Sequence, residues 1–170
     1  MMNKLKIAVK DSPVEGKGMF ATSDIKNGEI VCVMEGEKIS IPELKRRYTY
    51  GKERICDPLQ ISERQYLDMV KPYVYINHSC EPNLAMTKIS TLIALRDIKK
   101  GEEVFYDYST TEWTYDNFGK YAEWSMDCIC GNKNCRKIIV QFPFLPKKLQ
   151  DKYLELKAVP DFILRKAKCI

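Results

Sequence analysis

Turn signals recur so often along this chain that no strand-forming run is long, and no run alternates with a long helix. "KIAV", "GMFAT", "EIVCVM" and "EKIS" are short and β-rich, and "DSP", "EGKG" and "KNGE" divide them. "QYLDM", "YVYI", "TLIALRDI" and "EEVFYDY" repeat the pattern between residues 65 and 108. A mainly β chain of short strands follows from this, and a doubly wound α/β sheet does not. One helix interrupts the strands. In "SIPELKRRYTYG", Ser40 and Glu43 have capping-box spacing and Pro42 suits a first turn, which predicts a helix over about 42–50. After Pro143 the apolar spacing of Leu145, Leu149, Tyr153 and Leu156 predicts a helix, with Pro146 in its first turn. Pro160 ends it, and a short final helix follows with Asp161 as cap.

With 170 residues, 45% of them hydrophobic, the chain has enough material for one cored domain. A net charge of +5 from 28 basic and 23 acidic residues is too mild to indicate a nucleic-acid surface. The tail's lysines and arginine (147, 148, 152, 157, 165, 166, 168) interleave with Leu and Tyr, as on a solvated helix face. Direct nucleic-acid binding is therefore not expected. No apolar run approaches the roughly 20 residues of a membrane span, and the first residues lack the apolar core of a secretory signal. A reducing intracellular compartment, nuclear or cytoplasmic, is the expectation.

The seven cysteines are unevenly placed. Cys128, Cys130 and Cys135 form "CICGNKNC", where Cys-x-Cys before a glycine turns two thiolates towards one ion and the chain returns with a third. A structural zinc takes four ligands, so one position is open. Cys80 and His78, the only histidine, lie together in "YINHSCEPN" (75–83), and either is a candidate. Cys32 and Cys56 read as small buried hydrophobes, and Cys169 adjoins the terminus.

Four motifs occur in order: "GKGMFA" (16–21), "YINHSCEPN" (75–83), "GEEVFYDY" (101–108) and "CICGNKNCRKII" (128–139). Together they resemble a SET-domain protein lysine methyltransferase with a post-SET zinc-binding loop. The resemblance spans about residues 5–140. It implies a mainly β, β-clip-like fold of small curved sheets, with a pseudoknot in which the segment around 101–108 passes under the segment around 75–83. The resemblance also implies a SET domain over 1–110 and a post-SET loop over 111–140; residues 141–170 lie outside its motifs and read as a helical C-terminal extension packed on the domain. By the same resemblance, Gly16, Lys17, Gly18, Met19, Tyr75, Asn77 and His78 are candidates to bind S-adenosylmethionine. Cys80 becomes the fourth ligand of a Zn2+ ion with Cys128, Cys130 and Cys135, and His78 becomes a packing and hydrogen-bonding residue. Tyr108 is the candidate catalytic tyrosine and Tyr106 its neighbour on the same strand face. The implied partner is a protein presenting a lysine, with a histone tail as the family expectation. Met34 stands where many members carry tyrosine, and Val74 where many carry arginine. A different class of function is a catalytically weak, zinc-stabilised module that binds a peptide or chromatin component. Tyr66 is a candidate wall of the lysine channel with a core role as the alternative, and Trp113 or Trp124 a candidate cover for the adenine.

Overall fold

The computed structural model describes residues 5–51, 57–113 and 125–168. The chain opens with the antiparallel hairpin β1 (Ile7–Asp11) and β2 (Lys17–Ala21). Its turn is built by the Ser12 hydroxyl, which accepts from the Val14 amide at 3.0 Å, and by Gly16 at φ +47°, a left-handed conformation that side chains disfavour. Then come β3 (Ile30–Val33), β4 (Gly36–Ser40), α1 (Ile41–Thr49), β5 (Pro58–Gln60) and β6 (Gln65–Met69). The next elements are β7 (Leu84–Thr87), β8 (Thr91–Ala94), β9 (Glu103–Val104), β10 (Ser125–Asp127) and β11 (Ile138–Val140). Helices α2 (Lys147–Glu155) and α3 (Asp161–Ala167) close the described chain. Neither these nor α1 is long and apolar enough to cross a membrane.

The strands form three antiparallel three-stranded sheets, ordered β1-β2-β9, β3-β8-β7 and β4-β6-β5, and a ribbon of β10 and β11. Strands this short bury too little surface to stand alone. The three sheets therefore share one core, to which Met19, Val31, Leu67, Met86, Leu92 and Val104 each contribute a buried side chain. Met34 and Cys32 lie in the same core, where burial pushes the Cys32 thiol up to about 12. Helix α1 is capped as its sequence requires: the Ser40 hydroxyl accepts from the Glu43 amide at 3.4 Å. The Glu43 carboxylate engages Arg46 and Arg47, and Arg47 ties the helix to Glu37 on β4 and Asp68 on β6.

A second core forms on the other side of β7 and β8. Ala85 and Trp113 join Phe142, Leu145, Tyr153, Val159, Phe162 and Ile163, with Ile93 and Leu95 at the edge. The rings of Trp113 and Phe142 stack at 5.9 Å, and the Lys166 ammonium lies 5.5 Å from the Trp113 ring centre. The helical tail is thus the cover of a sheet face.

Some expected elements differ. "YVYI" is a 3-10 turn over Tyr73–Tyr75, not a strand: the Tyr75 amide donates to the Pro72 carbonyl and the Tyr73 amide to the Val70 carbonyl, each at 3.0 Å, so these amides close local turns and are not left for a sheet partner. "EEVFYDY" stops pairing as a strand at Val104. Tyr106 keeps only a bridge to His78, and Tyr108 starts a 3-10 turn capped by the Asp107 carboxylate. Pro146 and Pro160 precede their helices as caps, which makes Asp161 the first helical residue. Leu156 lies past α2 and is 54% exposed, because the helix ends before its apolar period completes another turn. Cys56, Trp124 and Cys169 lie outside the described residues.

Truncating Phe162, 1% exposed at the centre of the second core, should destabilise the protein by about 3 kcal/mol as Phe162→Ala. Urea unfolding should show one cooperative transition at a lower midpoint. Two separated transitions would mean that the tail folds independently of the sheets.

Candidate cofactor cleft and cysteine cluster

Two sequence segments form the heart of the site by satisfying each other's backbone. The Leu84 amide donates to the Phe105 carbonyl at 2.9 Å, and the Ser79 amide to the Tyr106 carbonyl at 3.2 Å. Asn83 lies between them: its Oδ1 accepts from the Phe105 amide and its Nδ2 donates to the Glu103 carbonyl, both at 2.8 Å. These bonds place residues 76–80 directly against 105–108.

His78 sits at this contact, 6% exposed. Its Nδ1 accepts from the Tyr108 amide at 3.2 Å, which puts the ring proton on Nε2, 3.4 Å from the Cys80 sulfur. Burial pushes the imidazole down to about 4, against the opposing pull of the Asp107 carboxylate, so the ring is neutral at physiological pH. Tyr108 is half-buried, with its hydroxyl donating to the Ile76 carbonyl at 2.9 Å. The Tyr108 ring is held edge-on by His78 at 5.4 Å and packed on Tyr106 at 4.8 Å.

A cleft runs between this wall and the β10–β11 ribbon. Val14, Glu15, Asn77, His78 and Tyr108 line one side, and Met126, Asp127, Ile129 and Ile139 the other. The Asn77 amide nitrogen donates to the Lys17 carbonyl and to Glu103 Oε1, each at 3.0 Å, tying the first hairpin to the cleft. Gly18 makes this possible. A Cβ there would lie 2.0 Å from Glu103 Oε1, so the missing side chain is the space that the Glu103 carboxylate occupies.

The sequence candidates separate in space. Asn77, His78 and Tyr108 line the cleft, and Gly16 and Gly18 lie beside it through Asn77. Tyr106 backs Tyr108 and is buried at 4%. Met19 is fully buried in the main core, and Lys17 reaches outward to Asp11 at 3.0 Å. Tyr75 packs against the core. The Tyr66 hydroxyl donates to the buried Glu112 carboxylate at 3.1 Å, and Trp113 is part of the second core.

The four cysteine sulfurs of residues 80, 128, 130 and 135 lie within 4.8 Å of one another. The loop supplies N–H donors to them: the Arg136 amide to Cys80 Sγ and the Lys137 amide to Cys135 Sγ, each at 3.4 Å. Gly131 turns the loop at φ +71°. Burial pushes the Cys80 thiol up to about 11 and Cys128 higher still. Cys130 sits lower, at about 6: burial opposes its ionisation, but backbone N–H groups of Cys80 and Asn132 outweigh it.

Residues that sequence reasoning passed over complete the arrangement. The Asp107 carboxylate, 1% exposed, accepts from Arg136 Nη2 at 2.7 Å, the Ser109 amide at 3.1 Å and the Tyr153 hydroxyl at 2.7 Å. Asp107 lies between the two tyrosines of "YDY", and Arg136 directly follows the last clustered cysteine. Those adjacencies were the available signals; Tyr153, 46 residues from Asp107, carried none.

A sequence profile of the SET domain matches residues 16–109, more than half of the chain. The chain belongs to the SET-domain family. It is 31% identical over 154 residues to the Caenorhabditis briggsae protein named "Probable histone-lysine N-methyltransferase set-23", covering 80% of this chain and 61% of that protein. The chain thus spans about three-fifths of that relative's length. Among solved structures, the methyltransferase domain of human SETMAR matches with a TM-score of 0.62 at 23% identity, over 80% of this chain and 58% of that one. A ctPRC2 structure (Polycomb Repressive Complex 2 of Chaetomium thermophilum) in an autoinhibited conformation bound to S-adenosylmethionine matches with a TM-score of 0.56 at 27% identity, over 67% of this chain and 16% of that one.

Proposed function

We propose that this chain is an S-adenosylmethionine-dependent protein-lysine N-methyltransferase, with a histone tail as its substrate class. The observation that carries the reading is the fixed Tyr108 hydroxyl. It is anchored on the Ile76 carbonyl, in the cleft wall that also presents Asn77 and His78. The cleft suits the cofactor chemically: Val14, Met126 and Ile129 offer apolar surface for a purine, and Glu15 and Asp127 are carboxylates suited to a molecule with cationic groups. When bound, S-adenosylmethionine supplies an electrophilic methyl on a sulfonium.

The chain's own residues do the rest. A lysine amine with a pKa near 10.4 is almost wholly protonated in water and has no lone pair to attack with. An apolar passage and a nearby positive charge both favour its neutral form. Alignment is then the main requirement. The Tyr108 hydroxyl, with its ring gripped by His78 and Tyr106, orients the incoming nitrogen. Neutral His78 holds the Tyr108 backbone and takes no proton. Tyr106, buried behind Tyr108, restricts rotation of an amine that already carries a methyl group. This favours monomethyl product.

The cysteine cluster fits a structural zinc. A zinc tetrahedron with arms of about 2.3 Å has edges of about 3.8 Å. The Cys80 and Cys128 sulfurs are 3.6 Å apart, and all four are within 4.8 Å. Such an ion would offset the charge of four thiolates and pin the ribbon wall of the cleft to the segment holding Asn77 and His78. A reducing nuclear or cytoplasmic location keeps those thiols available.

Elemental analysis should find about one zinc per chain. Cys130→Ser should remove most of it and cut transfer much more than it lowers core stability; full zinc content in that variant would break the four-cysteine assignment.

In a radiolabelled-methyl assay on histones, Tyr108→Phe should lower turnover about 100-fold with little change in cofactor affinity. On the same substrate Tyr106→Phe should raise the di- and trimethyl share about two- to tenfold, the scale of one hydrogen bond. Unchanged turnover in the first variant would remove Tyr108 from catalysis. Predominantly trimethyl product from the unmodified protein would remove Tyr106 from product control.

A further inference from the structure

The second core includes one polar reach towards the site. Tyr153 lies on α2, 3% exposed, among Phe142, Val159 and Phe162. Its hydroxyl leaves that apolar setting to donate to Asp107 Oδ2 at 2.7 Å. The other oxygen, Oδ1, holds Arg136 Nη2 at 2.7 Å and the Ser109 amide at 3.1 Å, and lies 3.5 Å from His78 Nδ1. Arg136 in turn carries the amide that donates to Cys80 Sγ. The remaining guanidinium nitrogens, Nε and Nη1, are buried without a hydrogen-bond partner among the described residues. Nη2 is therefore the guanidinium nitrogen through which Arg136 is held, to Asp107 and, at 3.2 Å, to the Ser109 hydroxyl.

We infer that Tyr153 is a positioning residue for methyl transfer, acting through Asp107 and Arg136 to hold the cysteine loop against the cofactor cleft. The inference rests on the proposed methyltransferase reading. It gives the helical tail a part in the site as well as in packing. A carboxylate this deeply buried needs several donors, and each donor restricts where the carboxylate can point. Without the phenol, Oδ2 loses the donor that Tyr153 provides, and the carboxylate is free to rotate or to admit water. Either movement loosens its grip on Arg136. Since Arg136 directly follows Cys135 and its amide faces Cys80, the loosening reaches two of the four sulfurs. It also reaches Met126, Ile129 and Ile139, the ribbon side of the cleft.

The test compares Tyr153→Phe with Leu149→Ala, a packing change on the same helix that leaves the hydroxyl in place. Zinc transfer to a chromophoric chelator should be about tenfold faster for Tyr153→Phe, the lower end of what outer-shell changes do to metal sites. Leu149→Ala should release zinc as the unmodified protein does, even where its melting temperature falls as far. In the methyl-transfer assay Tyr153→Phe should raise the cofactor KM about fivefold and change kcat less than about twofold, since the change loosens one wall of the cleft and leaves the Tyr108 hydroxyl on Ile76. Zinc release equal to the unmodified protein's, or equal acceleration in both variants, would overturn the inference.

A second measurement needs no variant. Coupling is reciprocal. Stripping zinc from the unmodified protein should lower hydrogen-exchange protection in α2 and leave α1 unchanged. Unaltered protection in α2 would overturn the inference even if Tyr153→Phe did not fold. Failure of the methyltransferase reading would look different: an unmodified, zinc-loaded protein that transfers no methyl to any histone, whatever Tyr153 does to zinc release.

Discussion

A carboxylate stripped of water is the constraint to which much of this structure responds. Asp107 is 1% exposed, and an ionised group at that depth is tolerated only when its oxygens are fully engaged. One donor is local, Ser109 in the following turn, and two come from distant parts of the chain: Arg136 in the cysteine loop and Tyr153 in the tail. Removing Arg136 would leave a buried charge without its counter-ion, a change of about 3–5 kcal/mol, and losing the neutral Tyr153 donor would cost about 1–3 kcal/mol. The arrangement is therefore specific more than it is strong. It fixes which loop and which helix lie beside the tyrosine pair, and it does so next to the His78 imidazole that holds the Tyr108 backbone.

Around that point the fold solves a problem of small parts. Each three-stranded sheet is too short to make a core alone, and the three together enclose one. The segment with His78 and the segment with Tyr108 meet at the edge of that core by exchanging main-chain and Asn83 hydrogen bonds. A rigid wall results, with Tyr108, His78 and Asn77 at defined positions. The opposite wall is the two-stranded β10–β11 ribbon. Its strand β11 is held by buried Ile139 and by Val140, which packs on the second core; the cysteine cluster and Arg136 tie the ribbon to the segment with Cys80 and to Asp107, which is why an ion at that cluster would matter to the cleft.

Much of this was legible in the residues. Turn spacing foretold short strands, Ser40 and Pro42 foretold α1, and the motif order pointed to the SET domain that the family comparison then matched. The cysteines at 80, 128, 130 and 135 converge in space as their resemblance implied. Periodicity failed where backbone geometry overrode it. Residues 73–75 have strand-like composition but form a tight turn after Pro72, and the "YDY" stretch leaves its sheet before the first tyrosine. The Asp107 network was hidden for another reason: a buried acid looks like a surface acid until its partners are known, and Tyr153 reads as one more apolar position on a helix. Gly18 stood out in the sequence as a candidate glycine, but its neighbour Glu103 is revealed only by the three-dimensional contact.

The central claim is that the cleft between the Asn77–Tyr108 wall and the ribbon is a cofactor site completed by the cysteine loop. Calorimetric titration of S-adenosylmethionine into the zinc-loaded and the zinc-stripped protein tests it most directly. The account predicts one site per chain in the zinc-loaded protein and an affinity at least about tenfold weaker once zinc is removed. Equal affinity in the two forms, or no binding to the zinc-loaded protein at millimolar cofactor, would contradict it.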